Sequence, residues 1–341
     1  MTTNPGKFNS YPPFFRPNQT VDHVEHGSKS ESDSCSDLNS DSVPVIDFQL
    51  MKPENLSKIC KEWGMFRLVN HGIPVDLLRQ LHAYANKLFS LDFESKQALL
   101  TSPMLYFWGS PALTMSGKVQ QTGPCSQNFN WLEGLNVPLS KMTQLEYQDP
   151  VLESFRSLLE EYGNHQTRLA KAIFTTMAQD LNFPPPKAAS YLSPPTGILR
   201  VYRYLQCPMA EQRWGINAHT DSSVLSIIYQ DQVGGLQVYK NDKWLDVKPI
   251  QDTLIVNLGD MMQAISNDKY VSVKHRVKVN KNKERISMGY FVFPHENAVI
   301  ESSKYKPFTY ADFRAEKELD LKNVGIKIGL PRFRITEENE L

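Results

Sequence analysis

Nothing in this chain marks it for an oxidising compartment, a membrane or a nucleic acid. Cysteine is scarce: Cys35, Cys60, Cys125 and Cys207 are widely spaced, with no CxxC pair and none of the density of a disulfide scaffold. They read as reduced thiols. Long apolar runs are missing too: no stretch approaches the roughly 20 apolar residues of a membrane span, and no basic segment followed by an apolar run opens the sequence. Net charge is absent, since Lys plus Arg and Asp plus Glu both number 37. No field therefore draws the protein to nucleic acid or to an anionic membrane. The expected partner is a small-molecule substrate, and the protein is expected to be a monomer in the cytoplasm, with the nucleus as a second compartment.

What is present suits a large core, because a domain of about 300 residues hides roughly 75% of the surface its unfolded chain exposes. Gly27 to Ser42 is almost entirely Ser, Asp, Glu, Lys, Asn and Gly, too polar to offset the entropy of ordering. Residues 1–42 are therefore expected to be a mobile tail. Order should begin at Val43-Pro-Val-Ile-Asp47, followed by a helix over Leu56 to Trp63 and a strand at Met65 to Val69. Apolar spacing predicts helices over Val75 to Leu100 and Leu152 to Leu181, the second stopped by Pro184-Pro185-Pro186. Between them Thr101 to Leu145, rich in Gly, Pro and aromatics, has no clear period.

After Leu192 the pattern becomes strand-like. Short runs at Ile198 to Tyr204, Val224 to Tyr229, Leu236 to Tyr239, Trp244 to Val247, Thr253 to Asn257, Val273 to Val279 and Arg285 to Phe293 are punctuated by Gly, Asn, Asp or Pro, as in a sandwich or jelly roll. Tyr310 to Leu321 reads as a closing helix. The expected organisation is a helical, substrate-covering region over 43–190, a jelly roll over 191–300, and a helix and tail over 301–341.

Three polar residues in this second half invite a metal. His219-Thr-Asp221 alone is weak, because a capping aspartate beside a surface histidine gives the same spacing. At a strand end, however, residues i and i+2 share a face. His275 sits among Val273 and Val277 on one strand face, and an inward histidine needs a partner. Two imidazoles and one carboxylate leave positions open on Fe(II) for a chelating co-substrate and O₂. Arg285 and Ser287 share a face ten residues on. A buried guanidinium is costly without an anion, and a planar one grips a carboxylate through parallel charge-assisted bonds. A zinc hydrolase could use the same three ligands but leaves Arg285 and Ser287 unexplained; a binding protein on the same fold would not require the ligands at all.

The order HxD, distal His, RxS resembles the plant branch of the Fe(II)- and 2-oxoglutarate-dependent dioxygenases. Cys60-Lys-Glu-Trp-Gly-Met-Phe-Arg-Leu-Val-Asn-His-Gly-Ile-Pro74, Gly234-Gly-Leu-Gln-Val238, Asn257-Leu-Gly-Asp260 and His275-Arg-Val277 are similar to that family's signatures, over about residues 43 to 320. The resemblance implies a double-stranded β-helix, a jelly roll with flanking helices, in which His219, Asp221 and His275 bind iron and Arg285 and Ser287 bind 2-oxoglutarate. It also implies O₂ as co-substrate and assistance by ascorbate. Relatives carry Asn-x-Tyr before the first ligand; here Tyr204 keeps the tyrosine while Tyr202 replaces the asparagine. His71, within the N-terminal signature, is read as a structural turn. The chain looks most like the gibberellin oxidases of the inactivating type, with other plant hormone or flavonoid oxygenases as the alternative. Phe107, Trp108, Met115, Phe129, Trp131, Tyr202 and Phe291 are the candidates for an apolar substrate wall. Plain core is the competing reading for each aromatic.

Overall fold

The computed structural model describes residues 8–16, 43–109, 129–144 and 147–335. In chain order it holds β1 (Val45–Asp47), α1 (Pro53–Glu62), β2 (Met65–Val69), α2 (Val75–Phe89), α3 (Phe93–Leu99), β3 (Leu105–Trp108), β4 (Leu132–Pro138), α4 (Pro150–Asp180) and α5 (Pro185–Tyr191). The second half contributes β5 (Ser193–Tyr204), β6 (Trp214–His219), β7 (Leu225–Gln230), β8 (Leu236–Lys240), β9 (Lys243–Asp246), β10 (Leu254–Leu258), α6 (Asp260–Ile265) and β11 (His275–Lys278). It ends with β12 (Arg285–Phe293), β13 (Val299–Ser302), β14 (Tyr305–Thr309) and α7 (Tyr310–Asn323).

Two sheets make the expected jelly roll. The larger runs β1-β2-β10-β7-β12-β5-β4-β3 and the smaller β6-β11-β8-β9. Side-chain alternation gives each strand of the larger sheet two environments. On β12, Ile286, Met288, Tyr290 and Val292 join the core shared with the helices. Arg285 and Ser287 have the opposite parity. On β5, Leu199 and Val201 join that helical core, while Tyr202 and Tyr204 cluster with Leu236, Val238 and Val277 of the smaller sheet. The barrel interior thus lies between the sheets, and the helices cover the outside of the larger one.

The helices follow from capping as well as pattern. Pro150 opens α4, and the Asp149 carboxylate accepts from the amides of Val151 and Leu152. The single helix expected over Val75 to Leu100 is instead two: the chain is extended at Asp92, where the Phe93 amide donates to the Asn9 carbonyl. A nonlocal partner therefore sets that break. Strands β1 to β4 extend the same sheet as the later strands, so the line at residue 190 separates sequence patterns and not separate bodies.

One part of the expected tail is a correction. Residues 8–16 are packed: Tyr11 and Phe15 are buried, and Phe15 lies 4.6 Å from the Trp131 ring. Below them, Lys96 is wholly buried and donates to Glu133 Oε2 (2.6 Å) and to the Ser10 carbonyl (2.5 Å). Arg203 donates to the Ser10 hydroxyl at 3.0 Å, and Tyr11 donates to Glu284 at 2.5 Å. Aromatic burial and these hydrogen bonds offset the entropy of ordering this segment. Among the described residues no helix is long and apolar enough to cross a membrane. Cys60 and Cys207 are buried free thiols, while Cys35 and Cys125 lie outside the described residues.

Candidate iron and co-substrate site

His219 is the last residue of β6 and pairs across the sheet with His275, the first of β11. Their ring centroids are 4.3 Å apart. His219 Nδ1 faces the Asn217 carbonyl at 2.7 Å and His275 Nδ1 faces the Val273 carbonyl at 3.2 Å. Those acceptors assign the proton to Nδ1 in both rings, leaving each Nε2 lone pair for a metal. Burial, and then the neighbouring His219, push the His275 imidazole down to about 4, so it is neutral at pH 7. Asn217 is itself held, its amide and Nδ2 both donating to Asn130 Oδ1.

Asp221 stands two residues past the end of β6, on the turn into β7. Its Oδ2 accepts from Ser226 Oγ and Asn257 Nδ2, both at 2.7 Å, and those donors are cross-strand partners on β7 and β10. Oδ1 faces His219 Nε2 at 3.6 Å and His275 Nε2 at 3.7 Å. Burial opposes its charge, yet His275, His219 and Ser226 hold the carboxyl well below the usual range. Ligand atoms about 2.1 Å from a shared ion are at most about 4.2 Å apart, so both separations suit one ion. All three ligand atoms lie within 4.8 Å of one another, so the two imidazoles would close in slightly around a bound ion.

Two further devices fix this turn. Lys327 Nζ donates to the Thr220 carbonyl at 2.6 Å and to Asp260 Oδ2 at 2.7 Å, clamping the backbone between the ligands. Gly259 makes close approach possible: a Cβ there would stand 2.1 Å from the Ser223 carbonyl oxygen.

Farther along the interior, Arg285 and Ser287 pair with Tyr204 and Tyr202 across β12 and β5. Arg285 is buried, its guanidinium 4.7 Å from the Tyr204 ring centroid, and Nη2 donates to Gln230 Oε1 at 2.8 Å. Its Nε and Nη1 are buried with no hydrogen-bond partner. Native proteins seldom leave such donors orphaned. A carboxylate satisfies them, with Ser287 and the Tyr204 phenol beside it; burial pushes that phenol up, so it stays a neutral donor. Gly215 leaves room for the Tyr204 ring, which a Cβ would meet at 2.5 Å. The donor set therefore fits both groups: His219, Asp221 and His275 would hold iron, and Arg285, Ser287 and Tyr204 the distal carboxylate of 2-oxoglutarate. Iron with that co-substrate would supply the oxidising power when bound; the chain fixes the ligand tautomers and orients the Asp221 carboxylate.

The aromatic candidates divide by parity. Phe107 points inward, with its ring 6.0 Å from Tyr202, and Phe291 lies 5.1 Å beneath the Arg200 guanidinium. Trp108, next to Phe107 on β3, faces the other way and clusters with Phe129, Trp131, Phe14 and Phe15. Those three are thus placed under the N-terminal segment, and Met115 lies outside the described residues. His71 forms a turn, its Nδ1 accepting from the Ile73 amide and its Nε2 facing the Asp252 carbonyl. Sequence reasoning missed Ser226, Asn257, Gln230 and Lys327. The Asn257-Leu-Gly-Asp260 signature was the one signal, and its role is to orient Asp221.

Comparison with known proteins agrees. Residues 195–294 match the model of the 2OG-Fe(II) oxygenase superfamily, and residues 43–154 that of the non-haem dioxygenase in morphine synthesis N-terminal family. The chain is 33% identical to gibberellin 2-beta-dioxygenase 6 of Oryza sativa subsp. japonica, over 82% of this chain and 78% of that protein. It is 34% identical to gibberellin 2-beta-dioxygenase 8 of Arabidopsis thaliana, over 82% and 80% respectively. The solved structure of JOX2 in complex with 2OG, Fe and JA superposes with a TM-score of 0.67 at 27% identity, covering 80% of this chain and 84% of that one. On its His-Asp-His cluster and these relatives, the chain belongs to the 2OG-Fe(II) oxygenase superfamily and is an oxidoreductase that uses Fe(II) and 2-oxoglutarate.

Proposed function

We propose that this oxygenase modifies a small, largely apolar plant metabolite, a gibberellin-type diterpenoid acid, and thereby inactivates the hormone. One observation carries the reading: gibberellin 2-beta-dioxygenases are 33–34% identical to this chain over 82% of its length. The inward Phe107, Tyr202 and Phe291 support it, because a rigid hydrocarbon skeleton suits an aromatic wall. The protein acts as a monomer, in the cytoplasm and also the nucleus. A second reading, an oxygenase of another plant hormone, draws on the JOX2 structure solved with JA.

The test is product analysis by mass spectrometry after incubation with Fe(II), 2-oxoglutarate, ascorbate and air. The panel holds gibberellins, jasmonic acid, indole-3-acetic acid and flavonoids. A gibberellin product heavier by one oxygen atom, with matching succinate, is the expected result. Turnover of another panel member while every gibberellin is inert would overturn the gibberellin reading.

A further inference from the structure

We propose that Arg200 of β5 and Lys317 of α7 form a second anion site on the barrel interior, which takes a carboxylate of the substrate being oxidised. The proposal rests on the oxygenase reading and deepens it by assigning the residues that would hold the substrate's acid group.

Arg200 shares its strand face with Tyr202 and Tyr204, so it projects to the interior. Its side chain is oriented by neutral groups: Nε donates to Asn136 Oδ1 at 3.0 Å, and Nη1 donates to the Tyr202 hydroxyl at 3.4 Å. The guanidinium rests over the Phe291 ring. Tyr202, the residue that departs from the family's asparagine, thus acts here as a positioning residue for a cation.

Lys317 approaches from the closing helix. On α7, Tyr310, Arg314 and Lys317 fall on one face at spacings of four and three, and Tyr310 stacks on Phe293 at 4.8 Å, seating that face against the end of β12. Arg314 has a counterion in Glu296. Half-buried Lys317 has neither a hydrogen bond nor an ion pair among the described residues, and neither does Arg200 have a carboxylate partner there. The charges felt by Lys317 are Lys327, Arg200, Asp260 and Asp221. Asp260 is engaged by Lys327, and Asp221 by its two donors and the metal position. The two cations therefore feel each other and neither has an anion of its own among the described residues, a costly arrangement that an incoming carboxylate would relieve. Burial and the neighbouring cations lower the Lys317 ammonium to about 8, which leaves it charged at pH 7. Asp221 also lies within electrostatic reach of Arg200, so a carboxylate held here places the rest of the substrate beside the iron ligands.

The experiment measures KM for gibberellins, jasmonic acid and indole-3-acetic acid, each as free acid and methyl ester, with the full chain, Fe(II) and 2-oxoglutarate. Calorimetric binding without O₂ accompanies it. The free acid should be preferred by roughly tenfold or more, as expected for a lost charge-assisted bond. Arg200→Gln and Lys317→Met should each raise KM for the acid and narrow the acid-to-ester ratio. Arg200→Lys and Lys317→Arg should restore part of it, and Arg314→Gln, on the same helix, should leave the ratio unchanged. Equal KM for acid and ester, an equal loss for both in the variants, or absence of binding by every acid would overturn the site. Inert gibberellins beside another acid that shows this dependence would sink the gibberellin reading alone. Gibberellins turned over equally as acid and ester would sink the anion site alone.

Discussion

Replacing Arg285 by lysine separates ligand binding from structural support. The side chain is 3% exposed and has one hydrogen bond, Nη2 to Gln230, while Nε and Nη1 are orphaned. In the free protein each orphan costs about 1–3 kcal/mol, a cost that a bound carboxylate would offset. Lysine keeps a positive charge but loses the planar fork. Loss of one charge-assisted bond to 2-oxoglutarate costs about 1.5–3 kcal/mol, a rise in Kd of about 10- to 150-fold. Stability should move differently. The Gln230 bond and the contact with Tyr204 are weakened, roughly 1–2 kcal/mol together, while the orphaned guanidinium donors are exchanged for those of a buried ammonium. Unliganded Arg285→Lys should therefore unfold in urea within about 2 kcal/mol of wild type. Calorimetric titration of Mn(II)-loaded protein with 2-oxoglutarate measures the first quantity and urea denaturation the second. Unchanged affinity would refute the clamp. Unchanged affinity together with several kcal/mol of lost stability would make Arg285 a structural residue.

Two further variants test the surroundings. Asn257→Leu removes one of the two donors to Asp221 Oδ2 and should weaken metal binding by roughly 10- to 100-fold, read by titrating metal-free protein with Mn(II); unchanged affinity would mean that Ser226 alone holds the carboxylate. Lys96→Met leaves the Glu133 carboxylate buried without its ammonium and should cost about 3–5 kcal/mol in urea denaturation, whereas a loss under about 1 kcal/mol would show that its remaining partners, the Arg203 guanidinium and the Tyr106 hydroxyl, suffice.

Strand parity made the inward face of the candidate site legible in the sequence. Arg285 and Ser287 alternate with Ile286 as a two-residue period demands, and β12 has the bounds the pattern predicts. His275 faces inward with Val273 and Val277 for the same reason. Parity carries less for Asp221. The strand ends at His219, and the carboxylate is aimed by Ser226 and Asn257, which lie 5 and 36 residues away in sequence. A local period says nothing about such partners. Lys96 is the extreme case: on a short amphipathic helix it reads as a solvated charge, yet its counterion is 37 residues on, and one of its acceptors is the Ser10 carbonyl 86 residues back.

The N-terminal segment shows how a composition argument fails at its edges. Gly27 to Ser42 has little apolar surface to bury, but the tail reading extended that property to Phe8-Asn-Ser-Tyr-Pro-Pro-Phe-Phe15, where four of eight residues are aromatic. Prolines at 12 and 13 hold the backbone where they need no donated amide hydrogen, which lowers the entropy cost of seating Phe14 and Phe15 against Trp108, Phe129 and Trp131. The same contact explains why three aromatics expected in a substrate wall are elsewhere: their ligand is this segment of the chain itself. Burying it also carries Ser10 and Tyr11 to Arg203 and Glu284. Because Glu284 immediately precedes Arg285, the segment packs against the end of the strand that carries Arg285.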